Sequence, residues 1–90
     1  HIHVGAAGVN GGVVVWLLPP NGTAPQPPSG PLSGTIASGR FNASNIRGVG
    51  GQPAISLDSL KRLMRSGNAY VNFHTSTFAG GEIRGQIRSN

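Results

Sequence analysis

The chain contains no cysteine, and only two of its 90 residues, Asp58 and Glu82, are acidic. Without thiols it holds neither a disulfide framework nor a thiolate zinc site, and its redox compartment is left open. Two carboxylates far apart in the chain do not make the acid pair of a glycosidase. No acidic residue stands near His74 to complete a serine–histidine triad, and no nucleophile-elbow pattern occurs. Gly48-Val-Gly-Gly51 lacks the lysine of a phosphate-binding loop. Aromatic residues are few, and none interleaves with Lys61, Arg62 and Arg65, the one basic cluster in a chain of net charge +5. A high net charge without a stripe of charge argues against nucleic acid. Long apolar runs are missing too: Val13-Val-Val-Trp-Leu-Leu18 is strand-sized, far short of a membrane span. Enzyme activity is therefore not the expectation.

Glycine and proline, by contrast, are abundant, at 15 and seven residues. They favour turns and short strands over helices. Ninety residues make one small domain, residues 1–90, whose core is marginal unless a metal or a neighbouring chain supports it.

The pattern reads as short strands separated by turn chemistry. His1 to Val4 is a strand fragment, and Asn10-Gly11 is the expected turn before a buried strand from Gly12 to Leu18. Pro19-Pro20 ends that strand by removing backbone donors. Asn21 to Pro31 reads as a surface loop, and Leu32 to Ser38 as a further strand. One short helix is predicted near residues 57–66. Ser56 is its N-cap, Asp58 lies in its first turn, Arg65 in its last, and Gly67 is its left-handed stop. Leu57, Leu60 and Met64 form its core stripe, opposite a solvated basic face.

The last third predicts a hairpin. Tyr70, Asn72 and His74 share one face of its first strand, Val71 and Phe73 the other. In the second strand Ile83, Gly85 and Ile87 are expected inward, and Glu82, Arg84, Gln86 and Arg88 outward.

His1, His3 and His74 are the only histidines. Strand alternation puts His1 and His3 on one face, and a third imidazole from a distant strand would complete a pocket suited to copper or zinc. Two other modes compete for the same atoms: a chelate of an α-amine with the His1 imidazole, and an amino-terminal copper pattern ending on His3. A purely structural alternative has His3 and His74 hydrogen-bonding across the sheet. Asn21-Gly-Thr and Asn42-Ala-Ser are N-glycosylation sequons in predicted loops.

Three blocks carry a family resemblance. His1-Ile-His-Val-Gly-Ala-Ala-Gly-Val-Asn-Gly-Gly-Val-Val, then Ser56-Leu-Asp-Ser-Leu with Gly67-Asn-Ala-Tyr-Val-Asn-Phe-His-Thr, then Gly80-Gly-Glu-Ile-Arg-Gly-Gln-Ile, occur in the order of the chordin-type CHRD domain, which the chain resembles over nearly its whole length. The resemblance implies an all-β fold, a small antiparallel β-sandwich similar to the superoxide dismutase barrel, and a secreted, cell-surface or matrix location. CHRD domains usually carry strands upstream of the His-x-His segment, where this chain starts. Either the chain is a trimmed piece, or the missing edge is completed by another polypeptide, through a homo-oligomer, a polymer or strand complementation; the latter is the expectation. Two functions follow: a non-enzymatic extracellular module that docks to itself, matrix, glycans or partner proteins through its sheet edge, or a copper (or zinc) protein with redox activity on His1, His3 and His74.

Overall fold

A computed structural model describes residues 1–18, 34, 40–74, 78, 80–81 and 83–89. The described residues form an all-β fold with one short helix, in the order β1 (Ile2–Val4), β2 (Val13–Val15), α1 (Leu57–Arg65), β3 (Ala69–Phe73) and β4 (Ile83–Gln86), with a 3-10 turn at Ala43–Asn45 before α1. The four strands make one antiparallel sheet in the order β2-β1-β3-β4. No second sheet is found among the described residues; what packs on the apolar face of this sheet there is helix α1. No helix among them is long and apolar enough to cross a membrane.

The helix forms where its capping chemistry places it. Ser56 Oγ accepts from the Ser59 N–H at 3.1 Å, Asp58 stands in the first turn, and Arg62 and Arg65 stand in the last. At the other end Gly67 has φ +79°. Its N–H donates to Met64, and the Asn68 N–H reaches back to Leu63 at 2.8 Å. These paired bonds satisfy the carbonyls that the helix end would leave open.

One face of the sheet buries the core. Ile2, Val15 and Ala69 pack with Val14, Ile46 and the fully buried Leu60 of α1, and Val4, Leu57, Met64 and Ile87 close round them. The stripe predicted on α1 is thus core, and Lys61, Arg62 and Arg65 are exposed as expected.

Several expectations change. The strand predicted from Gly12 to Leu18 stops at Val15, and Leu17 and Leu18 are exposed. A register shift between Ile2 and His3 lets Val14 as well as Val15 enter the core, which an apolar run alone does not reveal. The chain reverses at Ala6–Val9, not at Asn10-Gly11: the Val9 N–H returns to the Ala6 carbonyl at 3.0 Å, with Gly8 at φ +78°. The strand proposed for Leu32 to Ser38 lies, apart from Gly34, outside the described residues.

In β4 the alternation is real, but the solvent exposure is not the one predicted. Ile83 is 67% exposed, while Arg84 and Gln86 are half-buried. Ile87, just past β4, packs against the core, whereas Ile83 lies outside it. The polar face is roofed by the β1–β2 connection, whose carbonyls take the Arg84 and Gln86 donors. Alternation identifies two faces; which loop folds over either one is a tertiary outcome. Finally, β1 is paired on both sides, with β2 and with β3. Any open edge therefore belongs to β2 or β4, not beside the first strand.

Candidate metal centre

The roofed face carries the histidines. His3 pairs with Tyr70 across β1 and β3, and the Asn72 N–H donates to the His1 carbonyl at 3.1 Å. This register brings His74, just past the end of β3, beside His1. All three predicted ligands are assembled: one ring nitrogen from each of His1, His3 and His74 lies within 4.8 Å of the others. His3 is buried, and the other two are half-buried.

The hydrogen bonds decide which nitrogens face inward. His3 Nδ1 donates to the Gly11 carbonyl at 2.8 Å, so its proton is on Nδ1 and Nε2 carries the lone pair. His1 Nδ1 shares a 2.9 Å hydrogen bond with His74 Nε2. The structural alternative of a His3–His74 bond is replaced by these two. His1 Nε2 and His3 Nε2 are buried with no hydrogen-bond partner. A buried polar atom without a partner costs free energy, and in a native fold it calls for an explanation.

A metal held through His3 Nε2 supplies one for that atom, and the distances can be tested against it. With metal–nitrogen bonds of 2.0–2.1 Å, two donors on one ion stand at most about 4.2 Å apart, and a cis square pair about 2.9 Å. The His1 Nδ1–His74 Nε2 separation equals the cis value, and ligation through both atoms would displace the proton they share to the other ring nitrogen of that histidine. The widest spread, 4.8 Å, needs an inward rotation of less than about 1 Å to meet the upper limit. The donor set, three neutral imidazoles, suits copper or zinc with a position left open.

Protonation favours the same form. Burial pushes the His3 pKa below its ordinary value; the Gly11 carbonyl opposes this, and neighbouring positive groups, Arg84 among them, add to the lowering. His3 is therefore a neutral ligand at neutral pH.

Sequence reasoning did not identify the residues that hold this arrangement. Tyr70 stacks on His3 with ring centroids 4.8 Å apart and planes 11° from parallel. Its hydroxyl accepts from the Gly11 N–H at 2.9 Å and lies 3.3 Å from the Gly11 carbonyl. Trp16 meets His1 edge-on at 4.0 Å. Gln86 Nε2 donates to the carbonyls of Gly5 and Gly67 at 3.1 and 2.7 Å, tying the roof to the end of α1. Tyr70 was legible in principle, since alternation puts it on the His74 face. Gly11 acts through its backbone and leaves no such signal.

Of the two sequons, Asn21 lies outside the described residues. Asn42 is exposed and caps the 3-10 turn, its Oδ1 accepting from the Ser44 N–H at 2.9 Å. Phe41 and Ile46 on either side pack towards the core.

Comparison with curated proteins and with solved structures returns no match in either case. A family model described as the CHRD domain matches residues 1–87, which include all three histidines and the residues packed round them. Such domains are typical of secreted or extracellular proteins. The chain belongs to the CHRD domain family.

Proposed function

We propose that this domain is an extracellular binding module that holds a copper or zinc ion on His1, His3 and His74. One observation carries the reading: the buried His3 Nε2 has no hydrogen-bond partner, and one ring nitrogen from each of the three imidazoles lies within 4.8 Å of the others. The fixed Nδ1–H of His3 supports it, because a partner on the distal nitrogen orients a ligand and raises its basicity.

The test is a metal titration of the purified chain with zinc and, anaerobically, with Cu(I), read by competition against a chromophoric chelator. One ion per chain is expected, with affinity lowered at least about 10–100-fold in H3Q and H74Q. Binding that survives both substitutions unchanged would place the ion elsewhere and end the proposal.

Self-association is a second reading, favoured by a separate observation. Val71 and Ile83, on the apolar face outside the core, are 39% and 67% exposed. Exposed apolar surface of this kind often marks a contact between chains. If it does here, the chain sediments as an oligomer and Ile83→Glu shifts it to the monomer. A monomeric wild-type chain at micromolar concentration removes the reading.

A further inference from the structure

Beside the histidines runs a column of side chains whose role the ligand set leaves unexplained. Strands β1, β3 and β4 lie side by side, and each contributes one planar group to the roofed face: His3, Tyr70 and Arg84. The His3 and Tyr70 rings stack at 4.8 Å, the spacing of adjacent strands. From the β4 side the Arg84 guanidinium carbon lies 3.4 Å from the Tyr70 ring centroid, well inside cation–π range.

The hydrogen bonds of Arg84 fix the guanidinium without neutralising it. Nη1 donates to the Val9 carbonyl at 2.9 Å, and Nη2 donates to Ala6 and to Gln86 Oε1 at 3.2 and 2.8 Å. All three acceptors are neutral. Among the described residues no carboxylate contacts Arg84, and the three ligand imidazoles bring no negative charge either. A fixed cation in a half-buried wall therefore acts on whatever ion the histidines hold.

We propose that Arg84 is a specificity-determining residue that makes the site prefer a monovalent ion to a divalent one, Cu(I) to Zn(II). This role presupposes that the three histidines hold an ion. The 3.4 and 4.8 Å separations put the guanidinium at most about 8 Å from the His3 ring centroid. At an effective dielectric near 20, one further unit of charge on the ion at that range weakens binding on the order of tenfold or more. The second charge of a divalent ion meets that penalty, whereas a monovalent ion avoids it. Copper is among the metals that imidazole nitrogen suits, and Cu(I) is its monovalent state.

The experiment is an anaerobic competition titration that yields the ratio of Cu(I) to Zn(II) affinity for wild type, R84Q, R84K and V9E. Val9 is exposed, so V9E adds a carboxylate next to the guanidinium while leaving Arg84 in place; it carries the test if R84Q fails to fold. The ratio is expected to fall about tenfold in R84Q, to fall in the same direction in V9E, and to hold in R84K, which keeps the charge. A merely structural role would weaken both ions alike and leave the ratio unmoved. An unchanged ratio in variants that still bind both ions overturns the role of Arg84 and leaves the three-histidine site standing. A wild-type chain that binds neither ion overturns both.

Discussion

Gly11→Ala is expected to destabilise the domain by on the order of 3 kcal/mol and to lose the metal-facing arrangement with it. A Cβ at this position would stand 1.7 Å from the Val4 carbonyl oxygen and 2.8 Å from its carbon, both backbone atoms of β1. The usual escape, a shift of the glycine's own backbone, is blocked on both sides of the residue. Its N–H is held by Tyr70 Oη at 2.9 Å, and its carbonyl accepts the His3 Nδ1–H at 2.8 Å. Moving Gly11 therefore breaks the bond that sets the His3 tautomer, so affinity for the proposed ion is expected to fall together with stability. Gly8→Ala is the control. Gly8 has φ +78° but nothing within 4 Å of its Cβ position, so only the left-handed backbone cost of about 1–2 kcal/mol applies. Urea denaturation of both variants checks the contrast. A Gly11→Ala midpoint at or above that of Gly8→Ala would show that the roof tolerates displacement.

Leu60→Ala should cost a comparable amount by a different route. Leu60 is fully buried between α1 and the sheet, in the cluster with Ile2, Val14, Val15, Ile46 and Ala69. Removing a buried leucine side chain costs about 2–5 kcal/mol, from lost transfer free energy and from the cavity that remains. A chain of this size has roughly 5–13 kcal/mol in all, so the variant sits near the limit of folding. The histidines lie on the other face of the sheet. Where Leu60→Ala is folded, it should therefore leave the proposed ion binding and the proposed Cu(I)-over-Zn(II) preference unchanged, unlike Gly11→Ala or R84Q. A loss below about 1 kcal/mol would mean that the core collapses around the gap.

The two variants separate the kinds of information the chain carries. Helix α1 was legible nearly to the residue because its signals are local: the Ser56 cap, the Leu57–Leu60–Met64 stripe and the Gly67 stop all act within a turn or two. The shared face of His1 and His3, and that of Tyr70 with His74, followed from the two-residue period of a strand; that these two faces meet is set by the β1–β3 register. The trio with His74 was also legible, because a chain so poor in carboxylates and devoid of thiols has few other ligands. The β1–β2 turn was misplaced because Asn10-Gly11 has the stronger local signal. Gly11 is instead needed where backbone and backbone approach, at Val4.

Composition and period therefore determined by themselves that this is a small all-β domain with one helix, and that its candidate metal ligands are His1, His3 and His74. Only the tertiary structure decided that β1 is an inner strand, that the polar side of β4 is roofed, and that Arg84 stands behind Tyr70 without a carboxylate partner among the described residues. The physical reason is the range of the interactions. Capping and alternation are settled between neighbours in sequence. The roof depends on carbonyls of Gly5, Ala6, Val9 and Gly11 meeting donors from Gln86, Arg84 and His3, and most of those pairs are nearly the whole chain apart.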